Sequence, residues 1–165
     1  MHESAFDHAA PKPELYAALA RSLESLVSDE PDAIANLANA AALVWEALPG
    51  INWAGFYLLR GGELVLGPFQ GRPACVRIAL GKGVCGTAAA SRETVVVEDV
   101  NRFPGHIACD AASRSEIVVP LVRGGRLLGV LDVDAPAVGR FDGDDRRGLE
   151  AVAAVVSEKL PETGF

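Results

Sequence analysis

Apolar residues recur at helical spacing near both ends of the chain. Residues 14–28 and 34–48 place apolar side chains every three or four positions, which predicts two successive amphipathic helices. A Pro-Gly pair ends the second helix. A further helix is predicted over 142–160, with Asp142 as its N-cap. Each helix has one apolar face, and we expect these faces to pack against a common layer.

Between these helices the hydrophobic period changes to that of β-strands. Two pairs of predicted strands are joined by Gly-Gly turns, which is typical of hairpins. The predicted strands cover residues 53–59, 64–69, 75–80, 94–98, 116–122 and 127–133, with a short helix at 84–91. This order predicts an α+β fold, in which a central, mainly antiparallel sheet carries the N- and C-terminal helices on one face.

The second face of the predicted sheet also needs a cover. The strand at 127–133 is apolar on both of its faces, so it is expected to be buried on both sides. Residues 99–113 have no regular period and contain proline and glycine. Because the terminal helices cover one face, we expect this irregular segment to lie over the other, with a ligand pocket under the loops.

Composition and charge narrow the classes of function. The 165 residues, 50% of them hydrophobic, suffice for one domain with a hydrophobic core. We expect a flexible tail over residues 1–12 and a single domain over 13–160. No membrane span or signal peptide is apparent, so a cytoplasmic location is expected. The net charge of −7 and the scattered basic residues argue against nucleic acid or an anionic membrane as a partner. A homodimer formed through the first helices is compatible with this pattern.

Three cysteines are the first candidates for chemistry. Cys75 lies on an apolar predicted strand, where a buried, unreactive thiol is the simpler interpretation. Cys85 opens the short helix, where backbone amides and the helix dipole are expected to lower a thiol pKa. Cys109 lies in a loop near proline and glycine and is expected to be accessible. Their spacing fits no metal-ligand motif, even with the nearby His106, so no metal site is expected.

Acidic residues interrupt an otherwise apolar strand. Asp132 and Asp134 are two positions apart and therefore share a face. They are either solvated at the strand end, or buried and satisfied by a proton, a cation or a ligand. Glu116 opens the neighbouring strand of the hairpin. A regular two-residue turn would pair it with Val133 and point it away from the aspartates, whereas a bulge near Pro120 would place it on their face. The sequence leaves both registers open.

Two aromatic residues offer a further contact surface. Trp53 and Tyr57 are four positions apart on a predicted strand, so their rings lie on one face. They serve either as ordinary core packing or as the wall of a pocket for a thioether side chain, since sulfur and aromatic rings attract one another modestly.

Several of these segments, taken together and in order, resemble one protein family. They are NWAGFY at 52–57, LGPFQG at 66–71, GVCG at 83–86, GHIACD at 105–110, SEIV at 115–118, GVLDVD at 129–134 and RF at 140–141. The combination resembles the GAF-domain free methionine-(R)-sulfoxide reductases over roughly residues 14 to 158. The resemblance implies a GAF-like domain with helices on one side of the sheet and a ligand pocket on the other.

The resemblance also implies roles for the three cysteines. The residue matching Cys109 attacks the sulfoxide sulfur, releasing methionine and leaving a sulfenic acid. The residue matching Cys75 then closes a disulfide with it, which thioredoxin reduces as an external partner. The residue matching Cys85 is an auxiliary thiol. No bound cofactor or metal is implied.

For the pocket, the resemblance implies that Glu116, Asp132 and Asp134 hold the sulfoxide oxygen and the free amino-acid substrate. A sulfoxide oxygen leaves only when protonated, and clustered carboxylates raise one another's pKa, so one of them can remain an acid near neutral pH. Trp53, Tyr57 and Ile107 match positions of the pocket wall. Two alternatives stay open: a non-catalytic GAF domain that senses a small ligand, and a thiol switch that responds to peroxide.

Overall fold

The computed structural model of the protein describes residues 6–107 and 111–161. Its elements in chain order are α1 (Lys12–Val27), α2 (Ala33–Ala47), β1 (Trp53–Arg60), β2 (Glu63–Gly71), β3 (Arg77–Ala79), α3 (Gly83–Ser91), β4 (Val95–Val97), β5 (Ser115–Arg123), β6 (Arg126–Ala135) and α4 (Gly143–Ser157). The predicted elements are present, with small differences at their ends. The third strand begins at Arg77, so Cys75 lies in the loop before it and not on the strand.

Aspartate side chains cap the first turns of two helices. Asp142 caps α4 as predicted, because its side chain accepts hydrogen bonds from the backbone N–H groups of Asp144 at 2.8 Å and Asp145 at 3.2 Å. Asp32 caps α2 in the same way, through the N–H of Ala35 at 2.8 Å. These bonds satisfy amide groups that a helix start otherwise leaves without partners.

The strands form one antiparallel sheet in the order β3-β2-β1-β6-β5-β4. Strands β1, β2 and β3 pair in sequence, as do β4, β5 and β6, and β6 joins the two halves by pairing with β1 at the centre. Helices α1, α2 and α4 cover one face, as predicted, which confirms the α+β fold. The other face is covered by α3 as well as by loops, so the short helix belongs to the second layer.

The alternation of side chains divides the core between the two faces. Ala54, Phe56 and Leu58 of β1 point to the three helices. Trp53 and Tyr57, on the same strand, point to the opposite face and α3. Both sets are buried, which explains why the central strands are apolar on each side.

A buried ionic network joins the first and last helices. Asp145 of α4 is fully buried and accepts hydrogen bonds from the hydroxyl of Tyr16 at 2.9 Å and the guanidinium of Arg140 at 3.1 Å. Lys12 also pairs with this carboxylate. The described part of the predicted tail contacts the fold, since Phe6 packs against the helix-side core. None of the described helices is long and apolar enough to cross a membrane.

Candidate functional site

The pairing of β5 with β6 decides the position of Glu116. Close to the turn, Val122 pairs with Leu127, but the next pair is Leu121 with Gly129. Leu128 is therefore an extra residue, and this bulge shifts every later pair by one position. Glu116 consequently lies opposite Asp134 and on its face of the sheet. Of the two registers that the sequence left open, the structure has the one with a bulge near Pro120.

A glycine is required at this bulge. A Cβ atom at Gly129 would overlap the backbone carbonyl oxygen of Tyr57 on the neighbouring strand. Gly55 has a related role beneath the aromatic residues, because a Cβ there would lie 2.7 Å from the Trp53 ring. Both glycines allow close approach at the centre of the sheet, where any side chain would displace β1 or its indole ring.

The bulge brings two buried carboxyl groups and a buried thiol together. Glu116 and Asp132 are each only 6% exposed. The Sγ atom of Cys85, which begins α3, lies 3.9 Å from Oε1 of Glu116, and one ligand atom from each of these three residues lies within 4.8 Å of the others. Oδ1 of Asp132 is buried and has no hydrogen-bond partner among the described residues. Asp134 shares their face and is half-buried.

This environment keeps protons on the acids. Burial raises the pKa of Glu116 well above its usual range, and the nearby Asp132 and Asp134 raise it further. Burial also raises the pKa of Asp132 to about 7, while its contacts with Cys85 and Glu116 offset part of that rise. Near neutral pH the cluster therefore holds at least one proton that it can donate.

The predicted lowering of the Cys85 pKa was wrong. The thiol does lie in the first turn of a helix, but burial raises its pKa well above the ordinary value, and the neighbouring Asp132 and Glu116 raise it further. Desolvation and two facing acids outweigh the helix dipole, which acts only within the first turn. Cys85 is a free, buried thiol that stays protonated near neutral pH.

His106 belongs to this site, although the sequence showed it only as an insufficient metal ligand. Its Nε2 atom lies 3.7 Å from Oε2 of Glu116, and burial lowers the pKa of the imidazole. His106 lies in the loop before β5 and contacts Glu116 at the start of that strand, a contact that no local sequence pattern reveals. Lys82, Gly83 and Ser113 line the same cavity as the acids, and the sequence assigned none of them a role in the site.

The aromatic residues are both core packing and pocket wall. Trp53 stacks on Tyr57 with ring centroids 5.8 Å apart and on Phe69 at 5.3 Å. Trp53 Nε1 donates to the carbonyl of Arg72 at 3.1 Å, and the Tyr57 hydroxyl donates to the carbonyl of Cys75 at 3.0 Å. The two rings thus anchor the loop that carries Cys75 beside the acids.

Three predicted site residues remain to be placed: Cys75, Ile107 and Cys109. Cys75 is partly buried and disulfide-bonded. Ile107 lines the cavity and packs on Gly83, where a Cβ atom would lie 3.1 Å from Cγ1 of Ile107. Cys109 lies outside the described residues.

The acids, the thiol and the aromatic residues line one cavity. Part of this cavity is open to solvent. The lining residues that carry polar or aromatic groups are Trp53, Tyr57, Lys82, Cys85, His106, Ser113, Glu116, Asp132 and Asp134. An aromatic wall beside buried proton donors suits a small molecule with one apolar part and one polar, basic or oxygen-bearing part.

Known proteins share this fold and much of this sequence. The sequence profile of the GAF domain matches residues 30–160. The free methionine-R-sulfoxide reductase of Escherichia coli is 52% identical over 154 residues, which make up 93% of this chain and 93% of that protein.

Solved structures agree with that similarity. The structure of free methionine-R-sulfoxide reductase from Neisseria meningitidis in complex with its substrate has a TM-score of 0.92 and 49% identity, covering 96% of this chain and 95% of that one. A candidate GAF sensor protein from Burkholderia vietnamiensis has a TM-score of 0.88 and 65% identity, covering 90% and 95%. The chain belongs to the GAF domain family, within the group that contains the free methionine-R-sulfoxide reductases.

Proposed function

We propose that this protein is an enzyme that reduces free methionine-R-sulfoxide to methionine, with thioredoxin as the reductant. The observation that carries the proposal is the convergence of Glu116, Asp132 and Asp134 on one face of the sheet, beside the wall that Trp53 and Tyr57 form on the same face. The reductases among its relatives, at about half of all positions identical, support the same substrate.

The proposed substrate fits the cavity by its chemistry. The aromatic wall contacts the side chain of methionine sulfoxide, because sulfur next to aromatic rings is favourable. The proton that Glu116 and Asp132 hold between them near neutral pH is donated in a hydrogen bond to the sulfoxide oxygen. The half-buried Asp134 pairs with the substrate ammonium. A methionine sulfoxide inside a peptide lacks that ammonium, so the site discriminates against it.

The first step forms a sulfenic acid on the enzyme. The thiolate of Cys109 attacks the sulfoxide sulfur while a carboxyl of the cluster protonates the oxygen. The substrate sulfur gains two electrons and leaves as the thioether of methionine. The oxygen remains on Cys109, whose sulfur is oxidised by the same two electrons.

The second step returns the enzyme to its starting state. The thiol of Cys75 attacks the sulfur of Cys109, a disulfide forms and the oxygen leaves as water. A thioredoxin dithiol then reduces that disulfide by thiol exchange. Cys75 is disulfide-bonded whereas Cys85 is free, and this supports a disulfide between Cys75 and Cys109. Cys85 acts as an auxiliary thiol beside Glu116, because its protonated state does not suit a nucleophile.

A comparison of two cysteine variants tests this assignment. Cys109→Ser removes the attacking sulfur, and we expect no methionine to form from free methionine-R-sulfoxide. Cys75→Ser leaves the first step intact, so it forms about one methionine per chain and then stops as the sulfenic acid. Mass spectrometry of the protein and quantification of methionine measure both outcomes. Sustained turnover by Cys109→Ser would contradict the proposal.

A further inference from the structure

The acid cluster has a donor set that a metal ion recognises. Among the described residues, Cys85, Glu116 and Asp132 form a group whose ligand atoms all lie within 4.8 Å of one another. All three are buried, and they come from α3, β5 and β6. One sulfur and two carboxylate oxygens in a buried pocket are a set suited to zinc, which binds thiolate, imidazole and carboxylate.

The distance between the sulfur and one carboxylate oxygen fits such an ion with little movement. A tetrahedral zinc ion, with bonds of about 2.3 Å to sulfur and about 2.0 Å to oxygen, holds those two atoms about 3.5 Å apart. The sulfur of Cys85 and Oε1 of Glu116 are 3.9 Å apart. His106, whose Nε2 lies 3.7 Å from the other oxygen of Glu116, stands next to the group as a further nitrogen donor.

An independent observation shows that the pocket lacks a partner for one of these oxygens. Oδ1 of Asp132 is buried and receives no hydrogen bond from the described residues, although Asp132 lines the cavity. An unsatisfied buried carboxylate oxygen is costly, and a cation that coordinates it removes that cost.

We propose that Cys85, Glu116 and Asp132 form a binding site for Zn²⁺. On binding, the S–H bond of Cys85 is replaced by a zinc–sulfur bond, and its proton passes to solvent, as do the protons held by the carboxyl groups. Metal binding needs neither Cys75 nor Cys109. One consequence rests on the proposed function: zinc inhibits turnover, because it occupies the groups that protonate the sulfoxide.

Calorimetric titration of the reduced, full-length protein with Zn²⁺ alone tests the site without any turnover. We expect one zinc per chain with a Kd at or below about 10 μM. Cys85→Ala and Asp132→Asn each remove a ligand and lower the affinity on the order of 100-fold or more, since even loss of a supporting partner costs 10- to 100-fold. Glu116→Gln, which keeps the side-chain shape, gives a second carboxylate variant with the same expected loss.

The matched control is the double variant Cys75→Ser/Cys109→Ser, which keeps Cys85 and is expected to bind as the natural chain does. Titration with Co²⁺ reports the sulfur ligand through its thiolate charge-transfer absorption, which Cys85→Ala abolishes. The proposal is overturned if the natural chain binds no zinc in this range, or if binding is lost in the double control and kept in Cys85→Ala. Zinc binding without inhibition would leave the metal site standing and contradict only the proposed function of the acids.

Discussion

At the scale of single residues, the buried carboxyl groups are the feature that most needs a function. Burying Glu116 and Asp132 beside each other costs free energy in their charged forms, so at least one keeps its proton. Among the described residues, neither group has partners comparable to those of Asp145, which meets a lysine, an arginine and a tyrosine. Because acids with raised pKa values cluster at functional sites, this pair is the first candidate for the proton donor of a reaction.

Glu116→Gln tests that use directly. The amide keeps the shape and hydrogen bonds but cannot donate a proton, so we expect the single-turnover rate of methionine formation to fall by about 10² to 10⁴. Rapid quenching of enzyme mixed with free methionine-R-sulfoxide measures this rate. Glu93→Gln, an exposed change of the same kind, is the control and should leave the rate unchanged. Equal rates for the two variants would remove Glu116 from the chemistry.

The raised pKa of Asp132 also predicts how stability depends on pH. An acid whose pKa is about 7 when folded and about 4 when unfolded holds its proton more tightly in the folded state. Its contribution to the free energy of unfolding is therefore fully present below about pH 4 and is lost as the pH rises through about 7.

Asp132→Asn removes this contribution, because an amide does not titrate. We expect its free energy of unfolding, relative to the natural chain, to increase as the pH rises from about 4.5 to about 7.5. Urea unfolding at the two pH values measures the difference. Asp29→Asn, in an exposed loop, should follow the natural chain at both pH values. The same pH dependence in Asp132→Asn and the natural chain would show that Asp132 ionises normally.

At the scale of elements, one extra residue in β6 shifts the strand register and so places Glu116 on the same face as Asp132 and Asp134. Alternation predicted β5 and β6 and the shared face of Asp132 and Asp134, because that pattern depends only on a period of two. It did not determine whether Glu116 joined them, since a single bulge reverses the face of every later residue. Gly129 was the available signal, as a glycine inside an apolar strand often marks a bulge or a close approach.

Gly129→Ala tests the bulge. The new Cβ would overlap the carbonyl oxygen of Tyr57, so we expect the variant to lose about 1–3 kcal/mol of unfolding free energy and to separate Glu116 from Asp134. Urea unfolding together with the single-turnover rate measures both effects.

Gly143→Ala is the control, because its Cβ meets only the mobile end of Arg147 at 3.3 Å. This variant should be neutral or slightly more stable, since alanine restricts the unfolded chain. An unchanged stability and rate in Gly129→Ala would show that the register does not depend on this glycine.

The wrong prediction of the Cys85 pKa also has its cause in contacts between different elements. The position at the start of α3 was predicted correctly, and the local rule for a helix N-terminus favours a thiolate. The acids that reverse that tendency are 31 and 47 positions further along the chain and arrive only through the sheet. His106 was undervalued for the same reason, because its contact with Glu116 is made across a loop and a strand.

At the scale of the whole molecule, the sheet has the helix-side apolar core on one face and the candidate site on the other. Three helices seal one face with an apolar core, and the ion network of Asp145 fastens α1 to α4 far from the cavity. The opposite face carries the acids, the aromatic wall and the loop with Cys75. This division lets the site hold buried acids at a cost in stability while the helix-side core maintains the fold.

The same organisation explains the expected choice of substrate. In the proposed function, Asp134 pairs with the substrate ammonium, and Glu116 and Asp132 meet the sulfoxide oxygen, on a floor formed by β1, β5 and β6. A free amino acid presents both groups at once, whereas a residue within a peptide presents only the oxygen. A GAF domain that only sensed a ligand would bind methionine sulfoxide without converting it.

The most direct test is therefore thioredoxin-coupled turnover of three substrates by the natural chain: free methionine-R-sulfoxide, the free S epimer and peptide-bound methionine sulfoxide. Consumption of the reductant and the yield of methionine are measured together. The account predicts sustained turnover of the free R epimer and little or none of the other two. Binding without turnover, or turnover of the peptide as fast as that of the free amino acid, would contradict it.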